Sequence, residues 1–268
     1  MVRYPLVTSK DFYKKINNIY SEYKLHKTNK TAKELCFPKK YKLQKPQIFV
    51  SKYISPKTPY RNLLIFHQIG AGKTCASIQV AEQWKNRRKI LVAIPASLVG
   101  NYKNELRSEC IGNTYLTSEE RSILTQNSPS SIVYKRISKK SDKLINKYYD
   151  ILSHQKLINR IKNRSLRLSN KVLIIDEVQN LVSSSGDFYK ILYKFLKNAN
   201  ICPIILLSAT PMFDKPIELA LTLNLLHLKE EIPIGRNFSS TFLSKYKNKD
   251  NEILYDIKNK DFLSKLVK

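Results

Sequence analysis

The stretch HQIGAGKTCA, residues 67–76, sets two glycines, a lysine and a threonine in the order that cradles a polyphosphate. Gly70 and Gly72 lack a Cβ, so backbone N–H groups can close around a phosphate there. Lys73 would reach the terminal phosphates as a point charge, and Thr74 would offer its hydroxyl to Mg2+. His67, Gln68, Ile69 and Ala71 complete the loop. His67 stands where the strict pattern has its first glycine, a position at the strand end and away from the phosphates. A chance match of this length is the competing explanation, so the loop needs a second witness.

KVLIIDEVQNL, residues 171–181, supplies it: an apolar run ends in two adjacent carboxylates. Asp176 at the strand end would hold the Mg2+ shell, and Glu177 would orient and deprotonate an attacking water. The bland alternative is a buried strand with charged residues at its exit. Paired with the phosphate loop, on what should be a neighbouring strand, that alternative loses ground. A third stretch, LLSATPMF (206–213), brings Ser208 and Thr210 to the carboxyl end of an apolar run, where α/β sheets build their sites.

The elements that must position these residues are legible as five apolar runs: NLLIF (62–66), KILVAIP (89–95), YDILS (149–153), KVLIID (171–176) and CPIILLSAT (202–210). Several lack polar alternation, as strands buried on both faces do. Helical stretches fall between some of them, at 74–88, 97–106 and 187–198. The alternation predicts an α/β fold, a mainly parallel sheet with helices on both faces. Residues 1–45 read as a basic helical N-terminal appendage, with 12 Lys+Arg against 3 acidic residues and apolar side chains at Phe12, Ile16, Ile19 and Tyr23. The nucleotide-binding domain then spans about 46–230, interrupted by a basic insertion at about 107–149. KRISKKSDKLINKYY (135–149) within it carries six basic residues and one acid. PIELALTLNLLHL (216–228) reads as one more helix; beyond 230 no further strand–helix series is evident.

The 268 residues carry 48 Lys+Arg against 21 Asp+Glu, a net charge of +27. Such an excess points to a polyanionic partner, most often nucleic acid, although a compositional bias toward Lys, Asn, Ile and Tyr would produce lysines too. The four cysteines, Cys36, Cys75, Cys110 and Cys202, show no metal-ligand spacing, and a reducing compartment is the simplest account of them. No signal peptide or membrane-length apolar run is present, which implies a cytoplasmic location and no membrane partner.

The order GAGKT, DEVQ, SAT resembles the N-terminal RecA-like domain of superfamily 2 helicases. SPKTPYRNLLIFHQIGAGKTCASI (55–78) and LLSATPMFDKPIELALTLNLL (206–226) are similar to the helicase-like nucleoside triphosphatases of poxviruses and other large cytoplasmic DNA viruses. In that group the histidine at 67 looks like a family feature, which favours a working loop. ILVAIPASLVGNYKNEL (90–106) resembles the group's motif Ia, which touches nucleic-acid phosphates. LQKPQIF (43–49) resembles the upstream glutamine motif and makes Gln47 the candidate adenine reader, with a surface glutamine as the ordinary alternative. The resemblance covers about 43–230. It implies a RecA-like P-loop domain that binds ATP or another NTP with Mg2+ and acts on DNA or RNA. It also implies that Gln179 senses the nucleotide and that Ser208 and Thr210 couple the site to movement. Relatives of this kind carry a second RecA-like domain with arginine fingers; 231–268 reads as a connector toward one, supplied in cis or in trans. The rival reading is a nucleic-acid-binding transcription accessory protein whose nucleotide site switches without efficient hydrolysis.

Overall fold

A five-stranded sheet forms from the five apolar runs: β1 (Asn62–Phe66), β2 (Lys89–Ile94), β3 (Tyr149–Ser153), β4 (Lys171–Ile175) and β5 (Ile204–Ser208). The computed structural model describes residues 3–25, 41–68, 70–182, 186–199, 202–212, 215–248 and 251–266. All four strand pairings are parallel and the spatial order is β1-β5-β4-β2-β3. The carboxyl ends of all five strands therefore lie along one edge, which is where the phosphate loop and the acidic pair emerge.

The order corrects one expectation. β4, which ends at the acidic pair, does not neighbour β1; β5 is inserted between them, pairing Phe66 with Ser208 and Ile175 with Leu206. Run order along a chain says nothing about which strand is laid between two others. The consequence is functional: the strand carrying Ser208 runs between the strand feeding the loop and the strand feeding the acids.

Successive strand residues alternate between two cores, as the period of two demands. Ile90, Val92, Ile94, Val172, Ile174, Ile205 and Leu207 face one core, whereas Leu91, Ala93, Leu173, Ile175, Ile204 and Leu206 face the other. On the first side pack α1 (Phe12–Ile19), α2 (Lys45–Tyr53), α3 (Lys73–Trp84) and α4 (Val99–Leu106). On the second side pack α7 (His154–Lys162), α8 (Asp187–Lys197) and α9 (Ile217–Asn224). Between α4 and β3 lie α5 (Ser118–Gln126) and α6 (Ile132–Tyr148), with Thr117 capping α5 in a reciprocal box with Glu120.

The helix expected from Phe12 and Ile16 forms, and both side chains are buried together with Tyr20 in the same core as Tyr60 and Ile78. The basic run expected around 135–149 is mostly the single helix α6, which feeds β3 directly. Beyond 230 the structure adds a feature the sequence reading lacked. α10 (Gly235–Phe242), an antiparallel hairpin of β6 (Leu243–Lys247) and β7 (Ile253–Ile257), and α11 (Lys260–Leu266) follow one another. Phe238, Phe242 and Leu266 close a small core with Ala220 and Ile232. The hairpin strands are short and largely exposed, so they leave no apolar run to find. Among the described residues, no helix is long and apolar enough to cross a membrane.

Candidate nucleotide site

The phosphate loop leaves β1 at His67, whose N–H donates to the Ser208 carbonyl at 3.3 Å, and turns through Ala71 N–H to Gln68 O at 3.2 Å. Gly70 and Gly72 both take positive φ, +82° and +71°, a region in which an L side chain is strained. Gly72 has a second reason to lack a side chain: a Cβ there would lie 2.3 Å from Gln47 Nε2. α3 then begins at Lys73, and Ala76 N–H closes its first turn on Gly72 O at 3.0 Å. The free N–H groups of that first turn point a partial positive charge at the loop. Ile69 lies outside the described residues.

Lys73 crosses from the loop to the acids. Its ammonium donates to Glu177 Oε1 at 2.6 Å and lies 3.6 Å from Asp176 Oδ1, with all three side chains largely buried. Burial pushes the Asp176 carboxyl above its ordinary value, with the Lys73 charge opposing. Burial also raises Glu177, but hydrogen bonds from Lys73 and Gln179 outweigh it and hold that carboxyl below its ordinary value. Two carboxylates facing one ammonium leave local negative charge in a buried place, an arrangement that suits a divalent cation.

Glu177 is held by its backbone as well. Its φ of 51° and ψ of 48° put it in the left-handed region, at a cost of about 1–3 kcal/mol for a residue that is not glycine. The turn aims the carboxylate back toward the loop, and Asp176 Oδ1 accepts the Glu177 N–H at 2.9 Å. From Glu177 the contacts continue. Gln179 Nε2 donates to Glu177 Oε2, Ser208 Oγ donates to Gln179 Oε1 at 2.7 Å, and Thr210 N–H donates to Ser208 Oγ at 3.0 Å. One connected path thus runs from Lys73 through Glu177, Gln179 and Ser208 to Thr210.

Gln47 is placed against the loop, buried and fully engaged. Its Nε2 donates to Gly72 O at 3.2 Å, and its Oε1 accepts the N–H of Gln44, the N-cap of α2, at 2.9 Å. It therefore ties α2 to the phosphate loop, which rules out the surface glutamine. Base reading would require that amide to exchange partners.

Several neighbours escaped the sequence reading. His154 is buried at the start of α7 with Nε2 2.9 Å from Asp176 O, bracing the backbone that carries the acids. Burial holds its imidazole below the ordinary value, although the carbonyls of Asp176 and Ala93 favour the protonated form. Tyr102 of α4 is buried with its hydroxyl 3.3 Å from Ser77 Oγ of α3. His67, already placed in the loop by its sequence, has its Nδ1 buried with no hydrogen-bond partner among the described residues. A lone histidine at a strand exit gives no signal by which these roles could be read.

The cysteine expectation is corrected here. Cys75, next to Thr74 in α3, and Cys110, in the short 3-10 turn after α4, are joined in a disulfide with their Cα atoms 6.0 Å apart. They are 35 positions apart, and only the packing of α3 against α4 brings them together. Cys202 is free and buried.

The sequence profile of the SNF2-related domain matches residues 10–264, and the chain belongs to that family. The chain is 47% identical over 266 residues to the "Putative ATP-dependent RNA helicase R563" of Acanthamoeba polyphaga mimivirus, covering 99% of this chain and 46% of that protein. It is 31% identical over 193 residues to the "Putative helicase 009L" of Frog virus 3, covering 67% of this chain and 19% of the relative. It is 27% identical over 179 residues to the "Early transcription factor 70 kDa subunit" of Myxoma virus, covering 65% and 24%. The chain thus spans about half the length, or less, of the curated relatives it matches.

Proposed function

We propose that this chain is the nucleotide-binding motor domain of a viral-type superfamily 2 helicase, hydrolysing ATP or another NTP in support of nucleic-acid remodelling or transcription. The observation that carries the reading is the convergence of Lys73, Asp176 and Glu177 at the end of the phosphate loop, continued through Gln179 to Ser208. Membership of the SNF2-related family and the helicase names of several relatives support it.

In this reading Gly70, Ala71 and Gly72 present backbone N–H groups to the phosphates, with His67 and Gln68 shaping the loop behind them. Lys73 leaves the acids and takes up the β- and γ-phosphate charge. Thr74 and Asp176 are the residues that would hold Mg2+, which supplies charge neutralisation on the phosphate oxygens when bound. Glu177, freed of Lys73, accepts a proton from the attacking water. Gln47 lies where it can exchange its loop contact for the edge of a base. Gln179, Ser208 and Thr210 transmit the state of Glu177 to the β5 exit.

The nucleic-acid partner is recognised through phosphates. The net charge of +27 and the exposed segment Ala96–Ser97 at the β2 exit support this. A second RecA-like domain, in cis or in trans, completes the motor by adding the arginines that stabilise charge on the transferring phosphoryl group. The test is phosphate release with Mg-ATP and single-stranded nucleic acid. Glu177→Gln should reduce turnover about 100-fold or more while ATP still binds. Undiminished turnover in that variant would place the base elsewhere.

A further inference from the structure

The Cys75–Cys110 bond has a use that the nucleotide chemistry does not absorb. Cys75 follows Thr74 in the first turn of α3, so its side chain is anchored one residue from the proposed metal ligand. Cys110 sits in the turn Glu109–Ile111 at the far end of α4. The same two regions are also joined by Ser77 to Tyr102 at 3.3 Å and by Gln79 Nε2 donating to Cys110 O at 2.6 Å. The disulfide is the covalent member of three ties between the loop helix and the α4 region.

A third segment meets the same sulfurs. Tyr41 Oη lies 3.2 Å from Cys75 Sγ, on the stretch that leads into α2 and to Gln47, which holds Gly72. Loop helix, α4 turn and the approach to α2 therefore converge on one cystine. Cys110 also lines an open recess of about 430 Å3, together with Tyr41, Gln79, Glu109, Gly112 and Thr114. Both half-cystines are buried, and of the two only Cys110 borders this recess.

We propose that Cys75–Cys110 is a reversible thiol–disulfide modification site whose oxidised form preorganises the phosphate loop for nucleotide. The second half of that statement rests on the nucleotide reading above; the first does not. A cross-link at the first turn of α3 narrows the positions that Lys73 and Thr74 sample before ligand arrives, and less order then has to be gained on binding. The reactant class is a dithiol. One thiolate attacks Cys110 Sγ, the S–S bond breaks, and Cys75 leaves as thiolate and takes a proton. The second thiol of the reductant then displaces Cys110, so two electrons and two protons pass to the protein and the reductant ends as a disulfide.

Reduction would leave Cys75, Cys110 and the Glu105 carboxylate with ligand atoms within 4.8 Å of one another, a set that zinc could occupy. That is the competing use of the same residues.

The test compares the full chain after oxidation by a cyclic disulfide, after reduction by dithiothreitol, and after re-oxidation. Unreduced peptide mapping should link the Cys75 and Cys110 peptides in the first and third samples only. Amide exchange over residues 70–78, read without nucleotide, should quicken several-fold on reduction and slow again on re-oxidation. The Kd for Mg-ATP should rise about 3- to 10-fold on reduction, and Cys110→Ser should match the reduced protein under both conditions. If that variant fails to fold, the reversible wild-type cycle decides alone. Absence of the linked peptides, or identical exchange in both states, overturns the site. Retention of one zinc per reduced chain with unchanged exchange assigns the residues to metal instead. Changed exchange with no ATP binding in either state would keep the modification site and sink the nucleotide reading.

Discussion

Lys73 and Glu177, 104 positions apart in the chain, meet at 2.6 Å, and the lysine also lies 3.6 Å from Asp176. Lys73 is the counter-ion of one buried carboxylate and one largely buried one. Removing it leaves both uncompensated, and breaking a buried pair costs about 3 kcal/mol or more. Lys73→Ala should therefore lower stability in urea, and Lys73→Ala with Glu177→Gln should recover on the order of 1 kcal/mol of it. Additive losses in the double variant would show that the pair is not coupled.

Gly72 is held by two constraints that can be separated. Gly72→Ala meets Gln47 at 2.3 Å and also forces an alanine to φ +71°. It should cost about 2–4 kcal/mol in denaturant unfolding. Adding Gln47→Ala should remove the steric part and leave the backbone part, so recovery should be partial. Full recovery would mean that the positive φ costs nothing there.

The Ser208 hydroxyl touches Gln179, whereas Ser208 meets the phosphate loop only through its backbone carbonyl, which accepts the His67 N–H. Ser208→Ala should leave the Kd for Mg-ATP within about 2-fold while cutting nucleic-acid stimulation of hydrolysis about 10-fold or more, since a side chain that does not touch the nucleotide can affect turnover without changing ground-state binding. Equal stimulation in variant and wild type would detach Ser208 from coupling.

Acid should destabilise the fold before the carboxylates titrate. His67, His154 and His227 are each held below the ordinary histidine value, first by burial. A group with a depressed folded pKa contributes stability that is present above its unfolded pKa, near 6.5, and lost as pH falls through the folded value. Asp176, whose carboxyl is raised, works in the opposite sense but from an ordinary value of 3.8. Melting temperature should fall between pH 7.5 and 5.5 by several degrees, at about 2–4 °C per kcal/mol for a protein of this size. His154→Gln should flatten the slope. A melting temperature that rises toward pH 5.5 would reverse the assignment.

The chain alone should hydrolyse ATP slowly and fail to unwind a duplex, because unwinding needs two domains that close on nucleotide and open after hydrolysis. Supplying a second RecA-like domain, in cis or in trans, should restore stimulated turnover. Unwinding by this chain alone, abolished by Lys73→Ala as a control, would show that one sheet suffices.

Much of this was legible in the sequence, for identifiable reasons. Strands buried on both faces leave unbroken apolar runs, so NLLIF and KVLII mark β1 and β4 to within a residue. The meeting of Lys73 with Asp176 and Glu177 follows from their places at element ends, where the phosphate loop and the acidic pair leave parallel strands. What was hidden depends on packing across the chain. The insertion of β5 between β1 and β4, the Cys75–Cys110 bond and the brace from His154 to Asp176 O all join distant segments with no local pattern. The β6–β7 hairpin was missed for the opposite reason: its strands bury too little to be periodic.

When nucleotide binds, the Lys73 ammonium should leave Asp176 and Glu177 for its phosphates. Calorimetric titration of Mg-ATP into wild type, Lys73→Ala and Glu177→Gln, each verified as folded, tests it directly. Expected are binding to wild type, affinity in Glu177→Gln equal to or tighter than wild type because the competing carboxylate is gone, and at least about 10-fold weaker binding in Lys73→Ala, the loss of one charge-assisted contact. Equal affinity in wild type and Lys73→Ala, or no heat of binding in any of the three, would contradict it.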